Sequence, residues 1–379
     1  MRFVDEYRDG ALARGLADAI AREVQPTRPY AFMEFCGGHT HTICRYGIAA
    51  MLPANVELTH GPGCPVCVLP VGRIEQAMTL ARRPEVILCT FGDMLRVPGK
   101  DGESLLRAKA RGADIRVVYG PTEALRVARE CPAREVVFFA IGFETTTPTT
   151  ALAVKQAERE QLRNFSVLCN HVLTPPAIGA LLGAGATRLD GIIGPGHVST
   201  IIGTAPFARF ARDYGKAIVV SGFEPLDLLL SIRMLVQQTN DGRAEVENQY
   251  TRAVSVEGNR VAQALVADVL ELRTEFSFRG LGAIPGCAMK LRSRYAAWDA
   301  EERFDIPIVE LADHPACACG EILRGAKKPR DCKVFGTACT PDTPLGACMV
   351  SPEGACSAYY QYGRLRQPEA PAPRAGAAT

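Results

Sequence analysis

Glu135-Val-Val-Phe-Phe-Ala-Ile141 is followed directly by Gly142-Phe-Glu-Thr-Thr-Thr-Pro148. A run that is apolar on both of its alternating side-chain sets belongs to a strand covered on both faces, which is the habit of parallel sheets in α/β proteins. The turn after it carries Gly, Thr and Pro, the residues that close a strand and open a helix. The same texture recurs at residues 30–35, 85–91, 115–119, 165–169, 191–193 and 217–220, with helical patterns between the runs. The expected fold class is therefore α/β with parallel sheets.

Seven such runs suffice for one sheet, but short echoes favour two related α/β domains. Gly61-Pro-Gly-Cys64 and Gly194-Pro-Gly-His197 each follow a short apolar segment and open a helix, and Gly-Phe-Glu occurs at 142–144 and at 222–224. The expected division is 1–120 and 121–240 for the two sheet domains, and 241–363 for a smaller helical and Cys-rich domain. Residues 244–272 read as a helical segment, and a Pro- and Ala-rich tail at 364–379 reads as disordered. In open parallel sheets the ligand crevice lies at the carboxyl ends of the strands, so the Gly-rich turns mark the functional edge.

Composition narrows the function classes. The 379 residues are 47% hydrophobic and 22% charged, as in ordinary folded proteins of two or three domains. Lys and Arg number 43 against 41 Asp and Glu, and a net charge of +2 gives no electrostatic case for a nucleic-acid or anionic-membrane partner. No apolar run reaches the length of a membrane span, and the opening Met-Arg-Phe-Val-Asp-Glu-Tyr-Arg lacks a signal-peptide core. A cytoplasmic location is expected.

Fourteen cysteines in a reducing compartment point to metal or redox chemistry before structural disulfides. Cys89, Cys131, Cys169 and Cys287 are scattered, and Cys89 and Cys169 end strand-like runs, so these read as core. Six crowd into the C-terminal region: Cys317, Cys319, Cys332, Cys339, Cys348 and Cys356. Four of them are spaced Cys317-x14-Cys332-x6-Cys339-x16-Cys356, with turn formers between them. Wide, unequal spacing suits an iron–sulfur cluster; structural zinc, which prefers close pairs, and ordinary buried cysteines are the alternatives. The basic stretch Arg324-Gly-Ala-Lys-Lys-Pro-Arg330 either compensates an anionic cluster or is a solvated loop.

Two further thiol motifs sit at predicted strand ends. In Phe35-Cys36-Gly-Gly-His39-Thr-His41 the cysteine falls at a helix N-terminus, where positive partial charge is expected to lower its pKa and favour the thiolate. His39 and His41 are candidate bases, donors or ligands. Gly61-Pro-Gly-Cys64-Pro-Val-Cys67 is a CxxC pair suited to reversible disulfide chemistry or soft-metal ligation. Glu144 with Thr145–Thr147, His171 with Thr174, and His197 with Ser199 occupy further strand-to-helix turns, either lining a cleft or merely satisfying the backbone. A Walker-type loop, a dinucleotide fingerprint in strand-to-helix context and a Gly-x-Ser-x-Gly elbow are missing.

Taken together, Cys36-Gly-Gly-His-Thr-His41, Gly61-Pro-Gly-Cys-Pro-Val-Cys67, Gly142-Phe-Glu-Thr-Thr146, His171 with Leu-Thr-Pro-Pro176, Gly194-Pro-Gly-His-Val-Ser199 and the 14-6-16 cysteine spacing resemble the HypD family of hydrogenase maturation proteins, from about residue 30 to Tyr362. The resemblance implies two related α/β units and a C-terminal domain holding a [4Fe-4S] cluster on Cys317, Cys332, Cys339 and Cys356. It implies a scaffold on which the iron of [NiFe]-hydrogenases receives cyanide and carbon monoxide, in complex with a HypC-type chaperone and with cyanide from a HypE-type donor. Cys36 is then the thiolate on the assembling iron, with Cys64 and Cys67 as the adjacent redox pair of the same iron site. His39 is expected to polarise the incoming cyanide donor. A stand-alone iron–sulfur thiol–disulfide oxidoreductase and a zinc-stabilised interaction module are the competing readings.

Overall fold

In the computed structural model, which describes residues 4–185 and 188–363, all seven expected strands form. The predicted disordered tail at 364–379 lies outside the described residues. The strands are β1 (Tyr30–Glu34), β3 (Val86–Thr90), β4 (Ile115–Val117), β5 (Glu135–Gly142), β6 (Phe165–His171), β7 (Gly191–Pro195) and β8 (Ala217–Ser221); β2 (Val56–His60) and β9 (Val246–Asn248) complete the sheets. They fall into two parallel sheets, ordered β2-β1-β7-β8-β9 and β4-β3-β5-β6.

The strand alternation builds three cores. In β5, Val136, Phe138 and Ala140 face a core shared with the helices Pro121–Glu130 and Thr147–Glu160, whereas Val137, Phe139 and Ile141 face a central core. In β1, Tyr30 and Phe32 pack under the helices Gly10–Glu23 and Pro225–Asn240, and Met33 enters the same central core. That central core also takes in Cys64, Cys67, Cys319, Cys332, Cys339, Cys348 and Cys356. Each sheet thus has helices against both faces, since Ile74 and Met78 of the helix Val71–Ala81 and Ile178 and Leu181 of the helix Thr174–Ala184 lie in the central core together with the Cys-rich region.

The sheets do not follow a division at residue 120. The chain lays down β1 and β2, leaves to build the whole four-stranded sheet, and returns for β7, β8 and β9. The pairing of Val86–Cys89 with Glu135–Phe138 joins residues on either side of the expected boundary. Both Gly-Pro-Gly turns belong to the five-stranded sheet, at the ends of β2 and β7, while the two Gly-Phe-Glu turns are divided between the sheets. Residues 244–272 are likewise not one helix: Val246–Asn248 is an edge strand beside β8, and the helix is confined to Arg260–Val269, capped by the Asn259 side chain.

The C-terminal region begins with two short antiparallel ladders, β10 (Leu270–Leu272) with β13 (Met289–Leu291) and β11 (Glu275–Phe278) with β12 (Gly282–Pro285). Short helical turns follow, ending in the helix Ala355–Gly363. A largely buried charge cluster ties this region to the helix Val71–Ala81: buried Arg73 and half-buried Arg273 both donate to the half-buried Glu301 carboxylate, and Arg73 also lies over the Phe276 ring. Among the described residues no helix is long and apolar enough to cross a membrane.

Removing one partner from a buried ionic cluster leaves the others desolvated without compensation, at about 3–5 kcal/mol. Glu301→Gln is expected to cost roughly 3 kcal/mol, read as a lower urea midpoint with an unchanged denaturant slope.

Candidate functional site

The site grows from the end of β1. Phe35 ends the strand's apolar run, Cys36 has extended backbone, and the helix Gly37–Tyr46 starts at once. Glu34, 1% exposed, turns its carboxylate back over this junction. It accepts the Cys36 N–H at 2.8 Å, the Thr40 hydroxyl, and His60 Nδ1 at 2.7 Å from the end of β2. His60 Nε2 in turn meets the Tyr359 hydroxyl at 3.3 Å, and His41 Nε2 meets the Tyr362 hydroxyl at 3.3 Å. The C-terminal helix is therefore fastened across the helix that carries the Cys-Gly-Gly-His motif.

The Gly-Pro-Gly turn explains its own composition. A Cβ at Gly63 would overlap the backbone of Phe35 and Cys36, and Gly37 N–H donates to Gly63 O at 3.2 Å. Only glycine lets the CxxC turn lie directly on Cys36. Cys64 then caps the short helix Pro65–Val68 and is disulfide-bonded to Cys67, with Cα atoms 5.2 Å apart. Cys64 is 3% and Cys67 0% exposed. The same short helix packs against the turn Ala347–Met349, which carries Cys348.

Cys36 is buried, and this corrects the expected pKa. The amides of Gly38 and His39 at the helix N-terminus do favour its thiolate, but burial, with the negative charges of Glu353 and Glu34, pushes the thiol well above its ordinary value. The dipole supplies a fraction of a charge, whereas full desolvation penalises the whole ion. A thiolate here requires a positive charge brought to it, as a metal ion does.

His197 is the imidazole that reaches this thiol, with Nδ1 3.9 Å from Cys36 Sγ. Burial lowers its pKa to about 4. His39 is fully buried and turned to the Ser221 carbonyl through Nε2 at 3.3 Å, while its Nδ1 is buried without a partner. Burial also lowers the His39 pKa, so both rings are neutral at pH 7.

In the C-terminal region all six cysteines, Cys317, Cys319, Cys332, Cys339, Cys348 and Cys356, line one cavity with Ile322, Phe335, Gly346 and Met349. Gly346 is required there because a Cβ would overlap Cys317 Sγ. Contact with Cys319 and then burial raise the Cys317 pKa; burial and then the surrounding thiols raise that of Cys356. Sulfur donors in a dry apolar wall suit a soft, thiolate-bound iron–sulfur cluster and not a hard cation. Among the described residues no three His, Cys, Asp or Glu side chains converge on a point where a single metal ion would sit.

The basic stretch is engaged elsewhere. Arg324 donates to the Gly280 carbonyl, Lys327 pairs with Glu321, Lys328 with Glu57, and Arg330 donates to the Gly363 carbonyl. The cation that acts on the cage is buried Arg279, whose charge opposes the rise at Cys319 and Cys348. The other strand-end groups also look inward. Glu144 accepts the Thr174 N–H and hydroxyl at 2.8 and 3.0 Å, and burial raises its pKa to about 7. His171 lies between the hydroxyls of Thr146 and Thr150, and Ser199 donates to the Pro195 carbonyl.

Comparison with known proteins places this arrangement. Residues 11–363 match the model of the HypD family, described as "Hydrogenase formation hypA family". The chain belongs to the HypD family. A HypD-family protein of Rhizobium leguminosarum bv. viciae, the hydrogenase maturation factor HypD, is 61% identical over 373 residues, 97% of each chain. Hydrogenase maturation factor HypD2 of Bradyrhizobium diazoefficiens is 59% identical across 97% of this chain and 98% of its own. The HypD of Escherichia coli K12 is 48% identical across 98% of this chain and all of its own. The HypD match thus spans both sheets and the Cys-rich region together.

Residue type and turn context made Cys36, Cys64, Cys67 and the C-terminal cysteines visible in the sequence; Glu34, Tyr359 and Arg279 carried no comparable signal. One consequence is measurable by pH. His171, with its pKa lowered to about 4 by burial, stays neutral in the folded protein while the unfolded chain protonates near 6.5. Between those values the unfolded state binds more protons, so stability is full above pH 6.5 and falls as pH drops toward 4. Replacing the ring by His171→Asn should flatten that slope, by roughly 2–3 kcal/mol between pH 6.5 and 4 in chemical denaturation against wild type.

Proposed function

We propose that the chain is a [NiFe]-hydrogenase maturation factor and the scaffold on which the Fe(CN)2CO moiety is assembled. It works with a HypC-type chaperone, and a HypE-type donor delivers the cyanide. The observation that carries this reading is the burial of the Cys36 thiol directly beneath the turn that holds the Cys64–Cys67 disulfide, with an imidazole at 3.9 Å, in a chain of the HypD family.

The iron is the cargo. Cys36 binds it as a soft thiolate, which supplies electron density to low-spin iron carrying cyanide and carbon monoxide. Glu34 fixes the Cys36 backbone, and the buried walls exclude water that would compete for iron. The Cys64–Cys67 pair belongs to the same iron site: as a disulfide it withholds both thiolates, and as a dithiol it holds two electrons and two protons. This reading also assigns His39, whose buried Nδ1 has no protein partner, the polarising of the cyanide donor. One iron shared by two proteins requires their ligands to meet within bonding distance, which puts the HypC-type partner on the face nearest Cys36.

Cys317, Cys332, Cys339 and Cys356 would hold a [4Fe-4S] cluster, which supplies one-electron reducing capacity when bound. The stand-alone oxidoreductase reading fits less well, because Cys64 and Cys67 are buried and offer a diffusible disulfide substrate little access. A metallocofactor scaffold with redox-active thiols is the better description.

The test is an infrared spectrum of the anaerobically purified complex, co-expressed with a HypC-type partner. Bands in the cyanide and carbonyl stretching region are expected for wild type. Cys36→Ala should lose them while keeping its fold and the brown absorbance of the cluster. A brown wild-type complex without bands would instead favour the oxidoreductase.

A further inference from the structure

At the carboxyl edge of the five-stranded sheet, three loops meet around one side chain that carries no reactive group. Phe223 follows β8, in the turn that leads into the helix Pro225–Asn240. Its ring stacks on His197 with centroids 3.7 Å apart and planes at 20°. It also stacks on His39 with centroids 4.9 Å apart and planes at 27°. The two imidazoles of the Cys36 site are therefore both seated on one phenyl ring.

Gly38 leaves room for that ring. A Cβ at Gly38, in Cys36-Gly-Gly-His39, would come within 2.9 Å of Phe223 Cδ1; one at Gly196, in Gly194-Pro-Gly-His197, would first overlap the Ser221 carbonyl and would also come within 3.1 Å of Phe223 Cε2. The ring's own position is held from behind. Thr42 donates to the Phe223 carbonyl at 2.7 Å, and the Tyr250 ring meets Phe223 edge-on at 5.9 Å. Arg252 lies over Tyr250 and pairs with fully buried Asp227.

We propose that Phe223 is a positioning residue of the iron site, the wedge that seats His39 and His197 and holds the His197 imidazole against the Cys36 thiol. The proposal rests on the scaffold reading for the chemistry it serves. Its geometric content, that Phe223 keeps Cys36 enclosed, stands apart from that reading and is tested apart from it.

The experiment measures anaerobic alkylation by iodoacetamide, peptide by peptide, in the full cluster-bearing chain, together with infrared spectra of the complex with its HypC-type partner. Cys89 and Cys169, both 0% exposed in sheet strands, report whether the fold has opened generally. In Phe223→Leu two stacked ring contacts are lost, and alkylation of Cys36 relative to Cys89 and Cys169 should rise about tenfold. The cyanide and carbonyl bands should fall or shift while the cluster absorbance is unchanged.

Should Phe223→Leu also expose Cys89, Gly38→Ala provides the second variant, since its methyl displaces the ring without removing it. It should raise Cys36 alkylation with Cys89 silent, and Gly38→Ala combined with Phe223→Leu should recover packing but not the bands. Wild-type alkylation of Cys36 in Phe223→Leu and Gly38→Ala would overturn the proposal. A wild-type complex without bands overturns the scaffold reading, and the alkylation ratio then still decides whether Phe223 encloses Cys36.

Discussion

The carboxylate of Glu34 is the interaction on which the rest of the site depends. It is nearly inaccessible to water, and it is satisfied by three donors from three places: the backbone next to Cys36, the first turn of the following helix, and the imidazole at the end of β2. An unpaired carboxylate in such surroundings would be expensive, so each donor is held as firmly as it holds the acid. Through His60 the network reaches Tyr359, 299 residues away in sequence. The orientation of Cys36 is thereby made dependent on the C-terminal helix that also contains Cys356.

A second constraint is the use of sulfur as core. The central core between the sheets is closed by helices such as Val71–Ala81 and Thr174–Ala184 and also by the Cys-rich region, whose cysteines pack among Ile322, Phe335 and Met349. Cys64 and Cys67 border the same core from the other side. Thiols in this setting are inert as acids, because burial disfavours the thiolate, and they become ligands only when a cation repays the desolvation. Packing and ligation are thus two uses of the same side chains.

Much of this was legible in the sequence, and the reasons for the exceptions are physical. Most of the seven strands announced themselves because strands buried on both faces are continuously apolar, as residues 135–141 are, while the edge strand Ile115–Val117 is half exposed. Val56-Glu-Leu-Thr-His60 alternates and Val246-Glu-Asn248 lies at a half-exposed edge, so neither stands out locally. Which strands share a sheet is a long-range matter: nothing near Glu34 says that β1 will pair with β7 and not with β3. The thiols were visible as residue types. Glu34 was not, and Phe223 showed only as part of a repeated Gly-Phe-Glu turn, since a glutamate ending a strand and a phenylalanine in a turn acquire their roles only from neighbours brought from elsewhere in the chain. The expected low pKa at Cys36 counted the helix terminus and missed the burial that outweighs it.

The interrupted five-stranded sheet also has a consequence for biosynthesis. Strands β1 and β2 emerge from the ribosome early, but their partner β7 follows only after the whole four-stranded sheet has been translated. That inserted sheet is contiguous in sequence, although its core is closed only later, by residues such as Val269, Leu291 and Trp298, and β1 must wait for β7. Cys36, Cys64 and Cys67 are therefore made well before the residues that surround them, since His197, Phe223 and Tyr359 all come later in the chain. During that interval the nascent thiols are open to oxidants and stray metals, and the enclosure is complete only when the helix Ala355–Gly363 docks through Tyr359.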